Sequence, residues 1–134
     1  MNLKICILAG GEGKRMKSTL PKVLHLFKGQ PMIVQVINRS LELNAQKIII
    51  ITGKHNELIQ QTRKEYIDEN SFKKLRFVIQ ETPLGTGDAV KCTLNYYENG
   101  EDVLILNGDT PNISTELLNK FINSKGENKF CLLY

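Results

Sequence analysis

Five short apolar runs, each separated from the next by a segment of helical character, constrain the fold of this chain more than any other feature. The runs read LKICIL, KIIIIT, LRFVIQ, DVLILNGD and KFCLLY. The first, LKICIL, is nearly continuously apolar, which is typical of parallel strands buried on both faces. Because strand and helix alternate with short connections, the sequence predicts an α/β fold, a Rossmann-like three-layer sandwich with a mostly parallel sheet.

The four intervening segments carry the signals of helices. They read MIVQVINRSLEL, HNELIQQTRKEYIDEN, DAVKCTLNYY and STELLNKFINS. Pro31 occupies the predicted first position of the first helix, Asp88 stabilises the first turn of the third through the helix dipole, and Ser114 is the predicted N-cap of the fourth. Ligands of such sheets bind beyond the carboxyl ends of the strands, where the loops 9–22, 80–87 and 107–111 fall.

Length and composition predict one domain, residues 1–134, because a chain of this length with 41% hydrophobic residues can bury a single core. No apolar stretch approaches the roughly 18 residues that span a bilayer. The start, MNLKICILAGG, is too short and glycine-rich for a signal peptide, so a cytoplasmic protein is expected. Cys6, Cys92 and Cys131 form no CxxC pair and are interpreted as packing residues, and the isolated His25 and His55 are not expected to bind a metal.

Positive charge is concentrated near the start of the chain. Residues 1–41 hold seven basic residues and one acidic residue, whereas residues 42–134 hold eleven basic and thirteen acidic residues. A solvated basic face is the ordinary explanation of such a run. Five of the six basic residues between Glu12 and Glu42 lie in or just after a glycine-rich turn, which favours a compact anion as the partner.

That turn, LAGGEGKRMKSTLPK, directly follows the first apolar run. Gly10, Gly11 and Gly13 allow the backbone N–H groups to wrap round an oxyanion, and Arg15 and Lys22 add charged side chains. The alternative interpretation is a merely tight turn. On the first interpretation the turn is a phosphate site.

Two common nucleotide-binding fingerprints do not fit this turn. A Walker loop needs a glycine where Leu8 stands and a Ser or Thr where Arg15 stands. The dinucleotide fingerprint needs a third glycine where Met16 stands. The sequence therefore favours neither a P-loop ATPase nor a dehydrogenase.

The second loop, QETPLGTGDA, has the composition of a base-reading loop. Gly85 and Gly87 free backbone groups on either side of Thr86, and the Gln80 side chain offers a donor and an acceptor together. Taken alone, the loop is better explained as a plain helix-entry turn.

The third loop, LILNGDTP, places Asp109 beside Gly108 at the end of a buried strand. A carboxylate at this place in a phosphate site most naturally holds Mg²⁺, a hard cation that prefers oxygen ligands. Capping of the turn by Asp109 is the alternative.

Together the three loops resemble the signatures of the sugar nucleotidyltransferase superfamily, which joins a nucleoside triphosphate to a sugar 1-phosphate. LAGGEGKRM…LPKVLH is similar to the family's LAxGxGxRM…LPKxLH, QETPLGTGDA to its QxExLGTGHA, and LNGDTP to its GDxP. The similarity runs from about Leu3 to the end of the chain and is greatest to the uridylyltransferase (pyrophosphorylase) domain acting on N-acetylglucosamine 1-phosphate. Lys14, Asp88 and Asn107 stand where the family usually has Thr, His and Tyr.

The resemblance implies a nucleotidyltransferase-type fold and a set of site residues. Arg15 would contact the β and γ phosphates and Lys22 the transferring phosphate, so these two are the implied catalytic residues. Gln80 would hydrogen-bond the uracil, and Asp109 would bind Mg²⁺. The implied nucleotide-binding residues are Leu8, Ala9, Gly10, Gly11, Gly13, Gln80, Gly85, Thr86, Asn107 and Gly108.

The implied activity is transfer of a uridylyl group from UTP to N-acetylglucosamine 1-phosphate, which gives UDP-N-acetylglucosamine and pyrophosphate. Transfer with another base or sugar phosphate stays open, as does an inactive nucleotide-binding or interaction module. The family's catalytic domain continues beyond the length of this chain, so we expect a fragment or a shortened homologue, truncated at the C-terminus, with little turnover by itself. Neither nucleic acid nor a membrane is an expected partner, and a homo-oligomer is left open.

Overall fold

The computed structural model describes residues 3–10, 20–82, 84–98, 100–123 and 130–133. In chain order its strands and α-helices are β1 (Leu3–Leu8), β2 (Leu26–Phe27), β3 (Gln30–Pro31), α1 (Met32–Glu42), β4 (Lys47–Thr52), α2 (Asn56–Tyr66), α3 (Glu69–Phe72), β5 (Leu75–Ile79), α4 (Thr86–Lys91), β6 (Asp102–Asn107), α5 (Thr115–Asn123) and β7 (Phe130–Leu133). Short 3-10 helices occupy Lys22–Leu24 and Leu94–Tyr96. The predicted alternation of strand and helix is confirmed.

Five strands form one sheet in the order β5-β4-β1-β6-β7, and every neighbouring pair is parallel. The chain first builds the sheet to one side of β1 and then crosses to the other side. The switch point therefore lies between β1 and β6, where Leu8 pairs with Asn107. This arrangement confirms the predicted α/β fold and brings the ends of adjacent strands to one edge.

Helices cover both faces of the sheet, and the side-chain pattern of the strands explains why. Alternate residues of a strand point to opposite faces. Ile5 packs in a core cluster with α1 and α5, whereas its neighbour Cys6 packs in a second cluster with Ala89 of α4. In β4 every residue from Ile48 to Ile51 is fully buried. A continuously apolar strand fits this central position because neither of its faces meets water.

Three element boundaries differ from the sequence prediction. Pro31 precedes α1 as its cap residue, with extended backbone, so its predicted place as the first helical residue is wrong. The segment 55–70 is not one helix: Ile67 is extended and buried, and Asp68 accepts a hydrogen bond from the Ser71 N–H at 2.7 Å to begin α3. The helix predicted from Asp88 onwards begins two residues earlier, at Thr86, and ends at Lys91.

The predicted cap of α5 is confirmed, because the Leu117 N–H donates to the Ser114 hydroxyl at 3.1 Å. The small hairpin of β2 and β3 was not predicted. Its turn residues Lys28 and Gly29 have φ of +53° and +86°, the conformation that two-residue hairpin turns require. Within the described residues, no helix has both the length and the apolar character needed to cross a membrane.

Candidate active site

Main-chain hydrogen bonds hold the three predicted loops together at the carboxyl edge of the sheet. The Ala9 N–H donates to the Ile51 carbonyl at 2.7 Å, just after β1. The Gln80 N–H donates to Thr52 at 2.8 Å, and the Gly108 N–H donates to Leu8 at 2.9 Å. Each bond extends the ladder past a strand end, so the first residues of all three loops occupy fixed positions relative to one another.

Gly108 allows the end of β6 to lie directly against the end of β1. A Cβ atom at this position would lie 3.1 Å from the Leu8 carbonyl oxygen and 3.1 Å from Cγ1 of Val23. Such contacts are tighter than most that real side chains make, and one of them is to backbone, which does not move away easily. The absence of a side chain therefore places the next residue, Asp109, over the switch point.

Asp109 and Lys22, predicted from separate loops, meet there. Lys22 Nζ lies 3.2 Å from Asp109 Oδ2, and the two side chains are 49% and 34% exposed. Lys22 begins the 3-10 helix Lys22–Leu24, whose other two residues, Val23 and Leu24, are buried. Burial of these neighbours anchors the backbone while leaving the ammonium free to reach a ligand. The structure thus brings the candidate phosphate-contacting and metal-binding groups into direct contact.

The surroundings of Asp109 fit a cation that takes most of its ligands from outside the protein. Among the described residues, no group of three or more His, Cys, Asp or Glu side chains is close enough to hold a metal ion. Mg²⁺ is usually bound through one or two carboxylates, with substrate phosphates and waters completing its shell. Asp109, a partly exposed carboxylate beside the predicted phosphate loop, meets that requirement as far as the described residues go.

Gln80 begins the second loop and lies beside the start of the first. Its side chain is buried, and its Nε2 donates to Asp88 Oδ2 at 2.9 Å and to the Gly85 carbonyl at 3.3 Å. Its Oε1 faces the first loop, since a Cβ added to Gly10 would lie 3.6 Å from this oxygen. From the sequence, Asp88 was predicted only to stabilise the first turn of a helix through the helix dipole. Its contact with Gln80 was missed, although both residues lie in the quoted motif.

Gly85 has a conformation that only glycine adopts without strain, φ +102° and ψ 178°. It caps α4 and turns the chain from β5 into that helix. Thr86, the first residue of α4, is exposed, and Leu84 is 71% exposed. The loop therefore presents an open surface beside Gln80, where the sequence prediction placed the base.

The predicted site residues that the structure describes gather at this edge of the sheet. They are Leu8, Ala9, Gly10, Lys22, Gln80, Gly85, Thr86, Asn107, Gly108 and Asp109. Gly11, Gly13 and Arg15 lie outside the described residues, so their predicted roles stay predictions. Asn107 is half-buried, and its carbonyl accepts a hydrogen bond from the Thr110 hydroxyl at 2.9 Å.

Comparison with known proteins identifies the family. Residues 5–132 match the model of the MobA-like NTP transferase domain, which is nearly the whole chain. The chain belongs to this family. Membership confirms the resemblance to nucleotidyltransferases that the three loops predicted.

A curated relative of this NTP transferase domain comes from Acanthamoeba polyphaga mimivirus and is named "Probable UDP-N-acetylglucosamine pyrophosphorylase". The two are 46% identical over 132 residues, which is 98% of this chain and 51% of the relative. The chain therefore spans about half the length of the relative.

Solved structures share the fold of this NTP transferase domain. HddC from Yersinia pseudotuberculosis, complexed with GMP-PN, is 29% identical, with a TM-score of 0.70 over 92% of this chain and 54% of HddC. Rv0371c from Mycobacterium tuberculosis H37Rv has a TM-score of 0.72 at 14% identity, over 92% of this chain and 59% of Rv0371c. The second likeness concerns the fold alone.

Proposed function

We propose that this domain is the nucleotide-binding part of a uridylyltransferase that acts on UTP and N-acetylglucosamine 1-phosphate, giving UDP-N-acetylglucosamine and pyrophosphate. The contact of Lys22 with Asp109 at the switch point carries the proposal, since it joins a phosphate-binding cation to a metal-binding carboxylate. The name of the mimivirus relative supports the choice of base and sugar. The chain spans 51% of that relative, so the complete transfer reaction is part of the proposal.

In this proposal, the three loops hold the triphosphate at the carboxyl edge of the sheet. The backbone after β1 surrounds the phosphates, and Gln80 and Gly85 lie beside the base. Lys22 contacts the α-phosphate, and Arg15 contacts the β and γ phosphates. Asp109 would hold Mg²⁺, which, when bound, neutralises charge on the phosphate oxygens.

The proposed reaction needs no side-chain nucleophile, because the attacking group is already an anion. A phosphate oxygen of the sugar 1-phosphate forms a bond to the α-phosphorus of UTP. The bond from that phosphorus to the bridging oxygen breaks, and pyrophosphate leaves with the electron pair. Lys22 stabilises the charge that develops on the α-phosphate oxygens, an effect worth about 3 kcal/mol for a single well-placed contact.

Calorimetry with UTP, CTP, GTP and ATP in the presence of Mg²⁺ tests the proposal on this chain. We expect UTP to bind most tightly, and Asp109→Asn to weaken binding more when Mg²⁺ is present than when it is absent. Tighter binding of a purine nucleotide would refute the uridylyl assignment. Equal binding of all four would favour a general phosphate-binding module.

Pyrophosphate release tests the second half of the proposal. With UTP and N-acetylglucosamine 1-phosphate, the 134-residue chain should show little or no turnover, whereas a full-length relative should be active. Correct positioning of the acceptor can lower the activation barrier by about 7 kcal/mol or more. In the proposal, the described residues do not form a complete sugar pocket, so this contribution is missing. Turnover by this chain within tenfold of that of the relative would contradict the expectation that nucleotide binding alone resides in these 134 residues.

Transfer of a different nucleotidyl group is the second candidate. It is favoured by one observation, that HddC, at 29% identity, was solved with GMP-PN. The same calorimetric series separates the two candidates, because GTP would then bind more tightly than UTP.

A further inference from the structure

The side-chain amide of Gln80 is held in one orientation by two partners that can only accept. Its Nε2 donates to Asp88 Oδ2 at 2.9 Å and to the Gly85 carbonyl at 3.3 Å. Neither an ionised carboxylate nor a carbonyl has a proton to give. A flipped amide would bring its oxygen against two other oxygens, so the nitrogen must face them.

This orientation decides what Gln80 presents to a ligand. Both hydrogens of the amide nitrogen are directed at Asp88 and Gly85, and the amide oxygen faces the first loop at Gly10. Gln80 as a whole is 8% exposed, so its side chain has little freedom to turn. A base beside the first loop therefore meets a hydrogen-bond acceptor.

Asp88 contributes more to this orientation than Gly85 does. Its hydrogen bond is shorter, and hydrogen bonds to a charged acceptor are roughly twice as strong as those between neutral groups. Asp88 is itself held in the first turn of α4, where the helix dipole favours a negative charge. Without Asp88, the amide would keep a single contact of 3.3 Å.

We propose that Asp88 is a positioning residue for base selection. Its hydrogen bond with Gln80 turns the Gln80 side-chain oxygen towards the nucleotide, and this acceptor selects a pyrimidine with an N–H at ring position 3. Uracil has that N–H. Cytosine has a lone pair there, which would face the lone pairs of the Gln80 oxygen. This inference rests on the proposed uridylyl function, in which Gln80 contacts the base, and adds the residue that sets the polarity of that contact.

Binding of UTP and CTP by single variants tests the role of Asp88. Asp88→Leu keeps a branched side chain of similar size but removes the acceptor, and Asp88→Asn keeps an oxygen that can accept from Gln80. Glu81→Leu is the matched control, since it removes an exposed carboxylate one residue from Gln80. Thermal unfolding of each variant shows that the comparison is made on folded protein.

We expect the wild-type chain to bind UTP at least tenfold more tightly than CTP, because a lost hydrogen bond together with a repulsive contact costs about that factor or more. Asp88→Leu should reduce the UTP/CTP ratio to about threefold or less. Asp88→Asn and Glu81→Leu should keep the ratio of the wild type. In the ¹⁵N spectrum, the side-chain amide signals of Gln80 should move in Asp88→Leu and stay in place in Glu81→Leu.

Three results would overturn the inference, and they can be distinguished. A clear wild-type preference for UTP that Asp88→Leu leaves unchanged would overturn the role of Asp88, while the uridylyl assignment would stand. A wild-type chain that binds CTP as tightly as UTP would overturn the uridylyl assignment, and this inference with it. Equal weakening of both nucleotides in Asp88→Leu, at constant ratio, would assign Asp88 a purely structural role and would also overturn the proposal.

Discussion

Removal of the Lys22 ammonium should strengthen cation binding at Asp109 when no nucleotide is present. In the structure, Lys22 Nζ lies 3.2 Å from Asp109 Oδ2, so the ammonium occupies space and neutralises charge that a metal ion would use. Lys22→Met keeps most of the side-chain length and removes the charge. A divalent cation would then not compete with the Lys22 ammonium for this carboxylate.

The size of the effect follows from the geometry of the pair. Coulomb's law for unit charges 3.2 Å apart in water gives about 1.3 kcal/mol. Since both side chains are about a third to a half exposed, part of this energy is lost to screening and side-chain entropy, and measured exposed pairs give about 0.2–1 kcal/mol. We therefore expect an affinity increase of about 1.5- to 5-fold.

Paramagnetic broadening by Mn²⁺ is a suitable assay, because it reports weak binding at a known place. The measured quantity is the Mn²⁺ concentration that halves the amide signals of Gly108 and Asp109. This concentration should fall in Lys22→Met and rise strongly in Asp109→Asn. The control is Lys28→Met, which removes a lysine whose ammonium lies over the Phe27 ring.

Salt provides an internal check, because the Debye length falls from about 10 Å at 0.1 M to about 3 Å at 1 M. The difference in Mn²⁺ affinity between Lys22→Met and the wild type should therefore be smaller at 1 M salt than at 0.1 M salt. An unchanged or weaker Mn²⁺ affinity in Lys22→Met at low salt would refute the competition. An equal effect of Lys28→Met would show that only the net charge of the chain matters.

Two further predictions concern stability. Gly85→Ala should lower the free energy of unfolding by about 1–3 kcal/mol, because φ of +102° is strained for any other residue. Gly87→Ala should raise the free energy of unfolding by about 0.5–1 kcal/mol, because Gly87 lies in α4 with open space around it. Urea unfolding measures both changes, and equal effects of the two substitutions would contradict this reasoning. Burial raises the pKa of the Cys6 thiol from 9.0 to about 11, so the folded state holds this proton more tightly than the unfolded state. The stability that this provides is complete below pH 9 and is lost as the pH rises to 11, by about 2–3 kcal/mol. Cys6→Ala should flatten that decline and the exposed Cys92→Ala should not.

Strand identity and sheet type could be predicted from the sequence because burial on both faces leaves a direct mark on composition. KIIIIT cannot lie at the surface without exposing several isoleucines, so its place in a parallel sheet covered on both faces follows. The break after α2 could not be predicted in the same way. Ile67 continues the helical pattern in sequence, but the Asp68 cap begins a new helix and leaves Ile67 extended.

The candidate site was predictable at the level of loops and less so at the level of contacts. Glycine, basic and acidic residues at strand ends indicated phosphate and metal chemistry, because few other roles need them together. The pairing of Lys22 with Asp109 depends on the switch point between β1 and β6, which brings distant segments together. The hydrogen bond from Gln80 to Asp88 depends on the turn at Gly85. The positive φ of that glycine could not be deduced from the spacing of residues in the sequence.

The hydrogen bonds that tie the start of each loop to the end of a neighbouring strand use main-chain atoms. Every amino acid supplies the carbonyl, and every one except proline supplies the N–H, so most substitutions leave these bonds intact. The main-chain contacts that set the spacing of the loops therefore do not depend on which side chains the loops carry. The residues that the proposal places beside the base can therefore be exchanged without disturbing these main-chain contacts.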